Sequence, residues 1–72
     1  MIVEYGKVTI DVKEHKISSH YPKGYQAGNT VSLNGKTRTL RGVARIPGKD
    51  IESVWVQDPD GNVIPVDPAS LT

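Results

Sequence analysis

The segment Thr30-Val31-Ser32-Leu33-Asn34-Gly35-Lys36-Thr37-Arg38-Thr39-Leu40 places Asn-Gly between two alternating runs. Both central positions of a tight hairpin turn require positive φ, and Asn-Gly is the pair that tolerates it most readily. A β-hairpin is therefore expected here. The second run continues through Arg41-Gly42-Val43-Ala44-Arg45-Ile46, yet Leu40 and Val43 cannot share a face at a period of two. Gly42 is the natural place for a bulge or sharp bend that returns both side chains to one side.

On the C-terminal side, Ile46-Pro47-Gly48-Lys49-Asp50 has turn composition. Ile51 to Gln57 then reads as a strand with Val54 and Val56 on one face and Trp55 on the other. Asp58-Pro59-Asp60-Gly61 suits a turn, giving a further hairpin with Asn62 to Val66. Pro65 lacks a ladder donor, so that strand belongs at a sheet edge or directs its bare nitrogen outward. Asp67-Pro68-Ala69-Ser70-Leu71 fits one helical turn, with Asp67 as cap, Pro68 at the first helical position and Leu71 tucked into the core.

On the N-terminal side, Lys7-Val8-Thr9-Ile10-Asp11-Val12 alternates strictly, predicting Val8, Ile10 and Val12 inward. Ile2 to Tyr5 is its expected partner, reversing at Gly6. Lys13 to Lys16 reads as a turn. Tyr21 to Gly28 reads as a loop carrying two large aromatics, Tyr21 and Tyr25.

The chain has 72 residues and no cysteine, which points to one domain (1–72) and excludes disulfides and thiolate metal sites. A hairpin over 1–16 and a barrel core over 28–72 are the expected parts. Short β-branched runs between turns predict an all-β fold: a small, strongly bent β-barrel of five to seven short strands, with one short helical turn near the C-terminus. No apolar run approaches the roughly 20 residues needed to span a bilayer. With no leader-like start, a cytoplasmic location is expected.

Residues 28–71 resemble the Src-homology-3-like barrel superfamily, and its KOW-type members in particular. The similarity lies in Gly28-Asn29-Thr30-Val31-Ser32-Leu33, Gly35, the Gly42-Val43 step, Trp55-Val56 and the closing Pro-Ala-Ser-Leu turn. Thr39-Leu40 stand where such members carry lysine-glycine. The resemblance implies an SH3-like barrel and, through the KOW-type members, a nucleic-acid role.

No nucleophile elbow or phosphate-binding glycine loop is present. His15 and His20, with Glu14 and Asp11 nearby in sequence, are the one conceivable metal cluster, and solvated loop histidines explain them more simply. Asp58 and Asp60 are explained by turn formation. Neither a cofactor nor a metal, membrane or small-molecule substrate is expected, and the reading is non-enzymatic.

Two kinds of partner follow from the residues. Tyr21, Tyr25 and Trp55 would form an aromatic surface for a protein partner or self-association, as in an adaptor or a structural part of a bacterial or viral assembly; the competing view is that the tyrosines cap a small core. Alternatively, Lys36, Arg38, Arg41 and Arg45 would contact phosphates, because residues 15–49 are basic without an acid whereas 50–72 are acidic without a base. Against this stand the net charge of only +1 and the pairing of these bases with nearby acids, Arg45 with Glu52 among them.

Overall fold

A computed structural model describes residues 1–71. Six strands form in chain order: β1 (Ile2–Tyr5), β2 (Val8–Asp11), β3 (Thr30–Leu33), β4 (Lys36–Arg45), β5 (Glu52–Gln57) and β6 (Val63–Val66). Two short 3-10 turns, Pro22–Gly24 and Pro68–Ser70, complete the described elements. The fold is all-β.

The strands form two sheets: the hairpin β1-β2, and an antiparallel meander in the order β3-β4-β5-β6. The expected closed cylinder is not formed. The meander ends in two edges, β3 and β6, and the hairpin reaches it by one bridge, Lys13 with Val43, in which the N–H of each donates to the carbonyl of the other.

Asn34 and Gly35 both take positive φ, +53° and +79°, in the turn between Leu33 and Lys36. The bulge is where Leu40 and Val43 demanded it: the β4–β5 register slips between Leu40 and Gly42, and both side chains enter one core cluster. A Cβ at Gly42 would run into the backbone carbonyl of Lys13, with the carbonyl carbon only 2.7 Å away. The bend thus serves a second purpose, bringing the chain after β2 into contact with β4.

Two apolar clusters result. Val31, Leu33, Leu40, Val43, Val54 and Val56 are sealed by Tyr21 and Leu71 in the first. Ile10, Val12, Ala44 and Trp55 form the second, with Val3, Ile46 and Val63 packed around them. Because successive side chains of a strand point to opposite faces, β5 contributes to both. The hairpin covers the Trp55 side.

β6 lies at the edge, as Pro65 requires. The bond from the Asp58 N–H to the Asn62 carbonyl fixes the alternation of the ladder, so Pro65, opposite Trp55, sits at a non-bonded pair with its nitrogen turned away from β5. The Asp67 side chain accepts from the Ala69 N–H at 3.0 Å and Leu71 is buried. Three expectations shift. Val8, next to the turn, is exposed. Lys13 is an extended bridging residue. β5 starts at Glu52, leaving Ile51 exposed in the preceding turn.

Candidate functional site

Trp55 is 0% exposed. Its indole N–H donates to the Ala44 carbonyl at 3.3 Å, and Tyr5 meets it edge-to-face at a centroid distance of 5.5 Å. Its side chain is therefore withdrawn from the surface: the hairpin covers the face that a lone strand would have offered to a partner. Tyr21 is also withdrawn, 6% exposed, with its hydroxyl donating to the His15 carbonyl at 2.8 Å. Burial, and secondarily the Glu14 charge, pushes its phenol pKa up. Tyr25 is half-buried against the same cluster. The expected aromatic surface is thus largely core, and the two tyrosines of the loop act as its caps.

The basic segment is dispersed. Lys36 and Arg45 are exposed. Arg41 donates to the Glu14 carboxylate at 2.7 Å, and Arg38 stands 3.8 Å from Asp58. Arg45 lies opposite Glu52 in the β4–β5 register, although the Glu52 carboxylate approaches the His20 ring, at 3.7 Å. Two of the four cations expected to contact phosphates are therefore engaged by carboxylates within the fold. His15 and His20 join no cluster of three metal-ligating side chains among the described residues.

The surface with the clearest docking geometry was not read from the sequence. An open cleft of about 680 Å³ runs beside the whole length of β1 and its flanking residues Met1 and Gly6. Its opposite wall is the β5–β6 turn and the start of β6, including Gln57, Asp58, Asn62 and Val63, with Arg38 alongside. Among the described residues, Met1, Ile2, Tyr5 and Val8 of the hairpin are exposed large apolar side chains, Ile2 the most so of these at 67%.

The polar wall is cross-linked by its own hydrogen bonds. The Asn62 N–H donates to the Asp58 carboxylate at 2.9 Å, and Gln57 donates to the Gly61 carbonyl at 3.1 Å. The Asn62 backbone bond, against some desolvation, holds the Asp58 carboxyl below the usual carboxylate range, with further help from the Asn62 side chain, the Asp60 N–H and Arg38. The Nε of Arg38 is buried without a hydrogen-bond partner.

The ladder of the hairpin determines what β1 presents to this cleft. Two residues, Gly6 and Lys7, separate Tyr5 from Val8, which pair directly. Tyr5–Val8 and Val3–Ile10 therefore occupy bonded positions, and Met1–Val12 does too: each N–H of that pair donates to the other's carbonyl, at 2.9 and 2.7 Å. Ile2 and Glu4 alternate with them, so their backbone N–H and C=O groups point outward. A second, smaller cleft of about 340 Å³ lies at the β4–β5 turn between Ile46, Ile51 and Pro65–Pro68.

Among the described residues no helix is long and apolar enough to cross a membrane. No family model, curated protein or solved structure matches the chain.

Proposed function

We propose that this chain is a non-enzymatic protein-interaction module, a small open all-β domain of SH3-like type whose docking surface is the outer edge of β1 and the cleft beside it. The observation that carries this reading is the outward set of backbone groups on Ile2 and Glu4, next to an apolar side chain left in water. Unpaired strand edges are the places where chains add strands, and soluble proteins ordinarily blunt or cover them. Here β6 carries Pro65 and β3 is joined by the bridge of Leu33 with Leu71, whereas β1 has neither device. The SH3-like type is supported by the bulge in β4 and the closing 3-10 turn. Assembly or adaptor roles both follow from such a surface.

Nucleic-acid binding through Lys36, Arg38, Arg41 and Arg45 is the alternative, and the pairing of Arg38 and Arg41 weakens its support. One pair of experiments tests both. The full chain is panned against a displayed library of unstructured peptides and small folded domains, and titrated with single-stranded and duplex nucleic acid at two salt concentrations. Binders should emerge that lose about tenfold or more in affinity on Ile2→Lys, a surface change that leaves stability within about 0.5 kcal/mol. Binders indifferent to Ile2, or none at all, would overturn the assignment. Salt-dependent nucleic-acid binding would favour the alternative.

A further inference from the structure

We infer that the partner is an extended segment that adds as an antiparallel strand to β1 and carries the triplet cation–apolar–apolar. The inference rests on the interaction-module reading and specifies its chemistry. Ile2 and Glu4 each offer one N–H and one C=O toward the cleft, so an added strand meets them with two of its residues, spaced i and i+2, and forms up to four main-chain bonds. The hairpin has already fixed these groups, and the cleft leaves room beside all of β1.

Side-chain preferences follow from the same alternation. Residues directly opposite in a ladder share a face. Ile2 and Glu4 lie on the outer face and are exposed; Val3 turns the other way, toward Trp55. An antiparallel partner runs from Glu4 toward Ile2. Its first paired residue stands opposite Glu4, which has no ion-pair partner among the described residues, and a lysine or arginine there meets an unanswered negative charge. The second stands opposite Val3 and points into the cleft toward Val63, where an apolar side chain is desolvated. The third stands opposite Ile2 and, if apolar, covers the exposed side chain. A glutamate in the first position would face Glu4 directly, and like charges across a ladder are repulsive.

The test uses the full chain, isotopically labelled, and acetylated, amidated peptides with Lys-Val-Ile in a threonine-rich frame. On binding, the amides of Ile2 and Glu4 should gain hydrogen-exchange protection while that of Val3, already in the hairpin ladder, should not. Replacing the peptide lysine by glutamate should weaken binding about tenfold. N-methylation at the lysine or isoleucine should abolish binding, and at the central valine should leave it largely intact, because only the flanking amides face β1. Equal sensitivity at all three positions would overturn strand addition.

Binding that perturbs Tyr25 or the Ile51 cleft and leaves Ile2 and Glu4 unprotected would overturn both strand addition and the placing of the docking surface on β1, while leaving a non-enzymatic interaction module in place. If no peptide binds at on the order of 1 mM but library panning yields Ile2-dependent folded partners, the extended-segment assignment falls and the module stands. If panning also fails, both fall. Protection of Ile2 and Glu4 in the free chain, rising with its own concentration alongside the sedimentation mass, would make a second copy the occupant and overturn the partner named here.

Discussion

The two apolar clusters lie on opposite faces of the same strand and are enclosed in different ways. The Val54–Val56 side is closed by segments from across the chain: both strands of the Asn34-Gly35 hairpin, the Tyr21 loop and Leu71 after the last 3-10 turn. The Trp55 side has four buried members, and its cover is a single two-stranded hairpin. The first cluster draws its side chains mainly from the paired strands of the meander. The second can lose its cover while the meander persists, since the hairpin is attached through Trp55, its apolar neighbours and the Lys13–Val43 bridge. The side closed by the meander and the side covered by the hairpin are therefore on opposite faces of β5.

Removing the anchor should break this division most severely. Trp55→Ala deletes the largest fully buried side chain and is expected to cost about 3–5 kcal/mol, a large part of what a domain this small possesses. Urea titration gives the total. Native-state hydrogen exchange then reports whether β1 and β2 amides lose protection before those of β3 to β6. Simultaneous loss in both would show that the clusters are one cooperative unit.

Gly42→Ala should act chiefly on the attachment and on the bulge that carries it, where Gly42 has a φ of +152°. The added methyl meets the Lys13 carbonyl, so the bridge must separate at a cost of about 1–3 kcal/mol. The expected signature is faster exchange at the amides of Lys13 and Val43 while Thr30 to Leu40 keeps its protection. An unchanged Lys13 amide would show that the bridge does not hold the hairpin.

On the other face, Tyr21→Phe keeps the ring and deletes the bond to the His15 carbonyl, for an expected loss of about 0.5–1.5 kcal/mol measured by urea titration. Because its phenol pKa is raised in the fold, the folded state holds this proton more tightly than the unfolded chain does. That contribution is complete below about pH 10, the ordinary tyrosine value, and is lost as pH rises through the higher folded value. Tyr21→Phe should therefore flatten the alkaline fall in stability. An equal fall in both proteins would count against it.

The smallest effect belongs to the cleft wall. The Asp58 pKa is lowered in the fold, so its contribution is present above about pH 3.9, the ordinary aspartate value, and disappears as pH falls through the depressed one. Asp58→Asn retains an acceptor for the Asn62 N–H, so it should preserve the turn and reduce the acid-side slope of the unfolding midpoint. A steeper slope in the variant would contradict the assignment.

Much of the architecture was legible because it rests on local constraints. The Asn34-Gly35 turn, the bulge demanded by Leu40 and Val43, the edge position of Pro65 and the Asp67 cap each follow from a few adjacent residues and one backbone rule. Alternation also separated Trp55 from Val54 and Val56. What covers Trp55 was not legible: that depends on the hairpin folding back through Lys13 onto Val43, a contact with no local signature. The tyrosine loop has no periodicity to reveal that Tyr21 turns inward. Arg41 finds Glu14 only after the same fold-back, which is why the basic stretch looked freer in sequence than it is. The β1 edge was invisible for another reason, since a strand's own residues do not say whether a neighbour will lie beside it.

Pro65 carries a consequence for assembly. Open-ended growth of a sheet needs two receptive sides, one to accept a molecule and one to pass the pattern on. With the far side of β6 lacking a donor at Pro65, a regular ladder cannot be carried across that edge of the meander. Side-by-side growth of the four-stranded sheet through β6 should therefore be absent even at high concentration.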